Sequence, residues 1–311
     1  MNREFALIEK LKKRIPRTLQ GLIPIGDDAG MITLAKRTGL LVSTDAIVEG
    51  VDFRMSGTDP ALIGRKALAV NLSDMAAMAA RPVAFVAAAG IPKGLGERWM
   101  LRFHEGMMRL AREYQVACLG GDLSRAREFF AAVTILGEAP KAGAVLRSGA
   151  RPGDWIGVTG TLGGSILRHH YAFRPRVEEA LFLRRHARLG GMIDISDGFL
   201  QDLEHVLRAS RCGACLDLEE IPVSSDAMAL ARGDSPRALE HALTDGEDFE
   251  LLFTVRPGDR KTLERLWPRA FPNLRLSWMG RVTKGRAVVR WQCGGRPMRA
   301  PKIKQKGFSH F

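Results

Sequence analysis

Five short apolar runs in this chain end in side-chain carboxylates. One leads to Asp27 and Asp28, and Gly39 to Val42 leads to Ser43, Thr44 and Asp45. Lys66 to Val70 leads to Asn71, Ser73 and Asp74, and Val116 to Leu119 leads to Gly120, Gly121 and Asp122. The fifth, Gly191 to Ile193, leads to Asp194, Ser196 and Asp197, and a further acidic group, Glu247 and Asp248, precedes the strand-like Leu251 to Val255. Taken singly, each reads as a turn or a helix cap, with Ser73 or Asp74 as the N-cap of a helix. Brought together they would repel one another unless cations lay between them. Carboxylates beside Ser43 and Thr44 form an all-oxygen set, which suits Mg²⁺ better than zinc, and Mg²⁺ held this way shares its remaining positions with substrate phosphates. The residues therefore point to a magnesium-dependent, phosphate-handling enzyme.

The rest of the composition narrows the class. At 311 residues the chain has room for one large domain or two ordinary ones, and 46% hydrophobic residues supply globular cores. No run reaches the roughly 18 apolar residues of a membrane span, and the first residues, with Glu4, Glu9 and Lys10, lack a signal core, so a cytoplasmic protein is expected. The net charge of +13 admits a polyanion partner. The basic residues are scattered, however, and the 7% aromatics are not interleaved with them, so no nucleic-acid platform or other specific nucleic-acid partner is expected. Attraction of phosphorylated ligands is the alternative use of that charge. Cys212 and Cys215 have metal-like spacing but no second close pair, and His169 with His170 reads as a solvated helix pair.

Periodicity predicts helices over residues 3 to 19, 58 to 80, 96 to 114, 176 to 189 and 199 to 209, and strands near residues 82 to 89, 129 to 137, 155 to 158 and 251 to 255. The Gly-rich turn Thr159 to Ser165 has the generic shape that holds an anion on backbone amides, although it is not a Walker A loop. Asn71-Leu-Ser-Asp74 and Asp194-Ile-Ser-Asp197 form a weak internal echo.

In order along nearly the whole chain, Gly26-Asp-Asp-Ala29, Ser43-Thr-Asp45, Val48-Glu-Gly50, Lys66 to Met78, Gly120-Gly-Asp122, Arg147-Ser-Gly149, Ile193 to Gly198 and Gly246-Glu-Asp248 resemble the thiamine-monophosphate kinase family, within the aminoimidazole ribonucleotide synthetase superfamily of ATP enzymes. The resemblance implies two α/β domains, 1–140 and 141–311, with an N-terminal sheet that forms a barrel in a homodimer. It implies ATP and thiamine monophosphate as substrates, several Mg²⁺ ions, and direct in-line transfer of the γ-phosphoryl group. By position, Asp28, Ser43, Thr44, Asp45, Asp74, Asp122, Asp194 and Asp197 are implied as metal ligands. Gly121, Asp122, Arg147 and Ser196 fall at the ATP site, and Asp74, Asp122 and Arg147 carry the catalysis. Asp52, Glu247 and Phe308 fall at the thiamine end, where Asp52 stands in place of the family's usual His before Phe53. The alternatives are a sibling ATP enzyme with another phosphate acceptor and a non-catalytic polyanion-binding protein.

Overall fold

A computed structural model describes residues 29–33, 39–301, 303, 307 and 308. The helix expected over residues 3 to 19, the carboxylates Asp27 and Asp28, and most of the basic run from 302 to 306 lie outside the described residues.

The chain lays down one sheet and then another. The first holds β1 (Gly30–Thr33), β2 (Gly39–Val48), β3 (Arg81–Pro92), β4 (Ala117–Ala126) and β5 (Phe130–Glu138), in the order β1-β2-β5-β3-β4. Its neighbours are antiparallel except β3 and β4. Two helices cover it, α1 (Pro60–Ala77) and α2 (Glu97–Glu113). The second sheet holds β6 (Trp155–Thr159), β7 (Leu189–Asp194), β8 (Gly213–Asp217), β9 (Leu251–Val255), β10 (Leu276–Thr283), β11 (Val289–Cys293) and β12 (Arg296–Met298). Its order is β12-β11-β8-β10-β6-β9-β7. Between these strands run α3 (His169–Ala172), α4 (Val177–His186), α5 (Phe199–Ser210), α6 (Ser225–Leu230), α7 (Ser235–Thr244) and α8 (Arg260–Ala270). The α/β class is as expected.

Helix α1 is the axis of the molecule. It starts at Pro60, whose missing N–H costs nothing in a first turn, behind Asp59, whose side chain accepts the Ala61 amide at 3.0 Å. The N-cap is therefore Asp59, and Ser73 and Asp74 lie in the helix's last turn rather than opening a helix. The long apolar pattern continues through them because α1 is buried on nearly every side, with Leu68, Leu72 and Met75 fully enclosed. Each such side chain contributes about 1.5–3 kcal/mol. On one side α1 meets α2 at two glycines: a Cβ on Gly64 would run into the Phe103 carbonyl, and one on Gly106 into the Ala61 carbonyl. On the other, the small residues Ala76 and Ala79 let its end pack against a core built by Leu183, Phe253, Trp267 and Trp278 of the second sheet and its helices. One helix thus packs against both sheets and carries its last polar residues to the place where they meet.

Three local expectations change. Gly120, Gly121 and Asp122 lie in the middle of β4 and not at a strand end, and β4 is an edge strand whose residues are exposed almost throughout. The two halves of the internal echo are not equivalent: one is a helical turn, the other a strand end and loop, and they touch through the Ser73 hydroxyl, which donates to Asp194 at 2.5 Å. Charge and aromatics do interleave in places, most closely where Arg260 and Arg281 each lie 3.8 Å from the centroid of the Trp155 ring. No helix among the described residues is long and apolar enough to cross a membrane.

Candidate active site

A cavity of about 910 Å³ opens where β2, the last turns of α1, the end of β7 and the Thr244–Phe249 loop converge. Strand alternation places Ser43 and Asp45 of β2 on one face. The Ser43 hydroxyl donates to Asp74, and the Asp45 amide donates to the Asn71 side-chain oxygen at 3.1 Å, so two hydrogen bonds seat β2 on α1. Thr44 also lines the cavity, but its hydroxyl is already engaged with β5, donating to the Val133 carbonyl at 3.0 Å and accepting from Thr134. Asp194 ends β7 almost fully buried, and Asp197 follows after Ser196 in the turn that opens α5. The Asp197 amide donates to Asp202, the Gln201 amide group donates to the Asp197 carboxylate at 3.0 Å, and the Phe308 amide donates to the Asp197 carbonyl at 2.9 Å.

Seven carboxylates line the cavity, from Asp45, Asp52, Asp74, Asp194, Asp197, Asp245 and Glu247, against the cations Lys66 and Arg147. In a chain of net charge +13 this is a locally acidic hollow. Such an oxygen-only donor set fits a hard cation, since hydroxyls from Ser43 and Ser73 already meet carboxylates that would otherwise repel their neighbours. Asp202 sits behind them, fully enclosed. Burial first, then the Asp197 and Asp194 charges, push its carboxyl well above the usual range. Its ligand atoms lie within 4.8 Å of those of Asp197 and His205.

The loop from Thr244 to Phe249 is held hard against the second sheet. The Glu247 amide donates to the Ser196 carbonyl at 2.7 Å, and the Phe249 amide to the Ile195 carbonyl at 2.8 Å. Asp245 accepts the Gly164 amide at 2.9 Å, and both Asp248 oxygens accept the Gly163 amide at 2.9 Å. The Gly-rich turn therefore does hold carboxyl groups on its backbone, but they are those of the protein's own Asp245 and Asp248. The amides that were expected to be available for a phosphate are spent on fixing this loop.

Ser43, Thr44, Asp45, Asp52, Asp74, Arg147, Asp194, Ser196, Asp197, Glu247 and Phe308 all line the cavity, so most of the expected site is gathered in one place. Asp52 contributes wall rather than a projecting acid, because its carboxylate turns back to accept the Val48 amide at 2.7 Å. Gly121 and Asp122 are not there: β4 lies three strands from β2, and the Asp122 carboxylate accepts the Ser124 hydroxyl on an exposed surface. Asp28 lies outside the described residues. Sequence reasoning missed Lys66 and His170. His170, expected to be solvated, is 5% exposed and bonded within the cavity wall, and the only sequence signal was a lysine inside the long apolar pattern of α1.

Comparison with known proteins finds relatives along nearly the whole chain. The model of the family described as AIR synthase related protein, N-terminal domain, matches residues 26–139. The thiamine-monophosphate kinase of Rhodopirellula baltica is 40% identical over 271 residues, 84% of each chain. That of Escherichia coli is 35% identical over 332 aligned positions, covering 99% of this chain and 98% of its own. The structure of AaThiL complexed with AMPPCP and TMP superposes with a TM-score of 0.82 at 29% identity, covering 99% of this chain and 97% of that one. With the ordered acidic motifs lining one cavity and relatives of this identity and coverage, the chain belongs to the thiamine-monophosphate kinase family.

Proposed function

We propose that this protein transfers the γ-phosphoryl group of ATP in line to thiamine monophosphate, giving thiamine diphosphate and ADP. The observation that carries the reading is the cavity that gathers Asp45, Asp74, Asp194 and Asp197 with Arg147 on its wall. Phosphoryl transfer through a loose transition state needs alignment and charge neutralisation more than a strong base. The acceptor is itself an ionised phosphate, so no general base is assigned. Arg147 braces a phosphate through its planar fork, with Ser196 beside it in the ATP site. Asp45, Asp74, Asp194 and Asp197, with Ser43 and Thr44 and with Asp28, are the proposed holders of Mg²⁺. When bound, that ion neutralises the charge of the transferring phosphoryl group. Asp52, Glu247 and Phe308 form the acceptor side, where a carboxylate faces the positively charged thiazolium ring.

The reading divides the protein into an N-terminal domain to residue 140 and a C-terminal domain from 141, and it makes the molecule a homodimer. The dimer is supported by β4, an edge strand paired on one side with β3, where Leu119 and Leu123 are 63% and 67% exposed. Gly121 and Asp122 lie on the same strand, so in this reading they reach an ATP site at the junction of two copies. The proposed compartment is the cytoplasm, where ATP is plentiful and the thiols Cys118, Cys212, Cys215 and Cys293 stay reduced. Purified protein with ATP, Mg²⁺ and thiamine monophosphate is the direct test. Thiamine diphosphate should form in equal amount with ADP, and absence of product at high enzyme concentration rejects the reading.

A further inference from the structure

Lys66 is 0% exposed, and its ammonium lies inside the cavity wall. Burying an ammonium costs several kcal/mol unless its partners replace water. Here three polar partners surround it. It donates to the Asp52 carbonyl at 2.6 Å and to Oε1 of Glu247 at 2.5 Å, and it lies 3.1 Å from Nδ1 of His170, with the Tyr171 ring 5.6 Å away. The second Glu247 oxygen lies 3.3 Å from the same His170 nitrogen. That nitrogen accepts from the ammonium in the Nε2–H tautomer and donates to the carboxylate when it carries a proton itself, so in either form His170 bonds to one member of the Lys66–Glu247 pair. Lys66 of α1 thus joins three other segments: the turn after β2, α3 and the loop before β9.

Glu247 is unusual in its own backbone. Its φ is +62°, and that of Phe249 is +49°. For residues other than glycine such conformations cost of order 1–3 kcal/mol each and persist only where the surroundings impose them. The amide bonds to Ser196 and Ile195 fix the loop's backbone, and Lys66 with His170 fixes the Glu247 side chain on the cavity wall. Burial raises the Glu247 carboxyl, but His170 and Lys66 outweigh it and hold the group below the usual carboxylate range.

We infer that Lys66 is the positioning residue of the acceptor side: with His170 it holds the Glu247 carboxylate at a fixed place on the cavity wall and so sets affinity for the phosphate acceptor through Glu247. The inference rests on the acceptor-side reading of Glu247 given above. The test is a double-mutant cycle of Lys66→Met and Glu247→Gln, with steady-state kinetics and calorimetric binding of thiamine monophosphate. Each single variant should raise the acceptor KM about 10-fold or more and leave the ATP KM within about 2-fold, and the double variant should be no worse than the worse single. Effects that multiply, or an unchanged acceptor KM, overturn the inference. His170→Gln is the milder variant should Lys66→Met not fold, and it must shift the acceptor KM in the same direction or the inference fails. A urea-unfolding cycle on the same variants needs no substrate. If the wild type makes no thiamine diphosphate, the functional reading falls, while the Lys66–Glu247 pair still stands or falls on whether that cycle shows coupling.

Discussion

At the scale of the residue, the site is a set of acids kept close by hydroxyls and by folding. Asp74 accepts the Ser43 hydroxyl across two elements and faces the cavity with Asp45 and Asp194. Asp74→Asn keeps the shape and an acceptor oxygen but removes a charge from a crowded acidic hollow. Turnover should fall about 100-fold or more at limiting Mg²⁺, while the urea midpoint stays level or rises because repulsion is relieved. Unchanged turnover would remove Asp74 from the proposed metal set. Asp248 makes a separate statement. Burial above all, with Glu250 and Asp245 adding to it, raises its carboxyl well above the ordinary range despite the opposing bond from the Gly163 amide. The folded state therefore keeps a proton that the unfolded chain loses near pH 4. Its contribution to stability is full below that pH and is lost as pH rises through the elevated folded value. Asp248→Asn should thus gain stability relative to the wild type as urea midpoints are followed from pH 5 to pH 8, and a constant difference would contradict the assignment.

These residues also show what could be read in advance. The positions of Asp45, Asp74, Asp194 and Asp197 were legible because each follows a local apolar run. The jobs of Lys66, His170 and Ser73 were not, because their partners are distant in the chain. Lys66 is 181 residues from Glu247 and 104 from His170, and Ser73 is 121 from Asp194. No local pattern encodes a contact of that span.

At the scale of the element, α1 shows a helix chosen by burial rather than by amphipathic pattern. Nearly all its residues are enclosed, so the sequence pattern marked a helix over 58 to 80 but not its cap, which is Asp59 before Pro60 rather than the expected Ser73 or Asp74. Its closest approach to α2 depends on Gly64 and Gly106. Gly64→Ala should cost on the order of 1–3 kcal/mol in urea unfolding, because the added methyl meets backbone that cannot rotate away. A midpoint equal to the wild type would mean that the two helices slide apart freely. The Gly-rich turn at Gly163 and Gly164 illustrates the opposite case. Its backbone amides do hold acceptors, but those acceptors proved to be the side chains of Asp245 and Asp248.

At the scale of the whole molecule, the proposed dimer is the main open quantity. Leu119 and Leu123 lie exposed on β4, with Val86 on its neighbour β3 and Phe130 on β5 beyond it, which is more apolar surface than an edge strand ordinarily leaves to water. The double variant Leu119→Asp, Leu123→Asp should sediment as a monomer where the wild type sediments as a dimer. It should also lose turnover, if Asp122 serves a site shared between copies. A fully active monomer would detach both β4 and Asp122 from the site.

The sequence by itself determined which residues carry the oxygen atoms, that they follow strand-like runs, and the family to which their order belongs. It could do so because caps, turns and strand ends are local and because a long ordered set of motifs is specific. Only the tertiary structure decided which of those oxygens share a cavity. Sheet order placed β2 beside α1 and put β4 three strands from β2, about 14 Å at the usual strand spacing, so Asp45 and Asp74 meet while Asp122 does not. Strand order and helix packing are settled by side chains buried far apart in the chain, and that is why Lys66 had to be found in the fold.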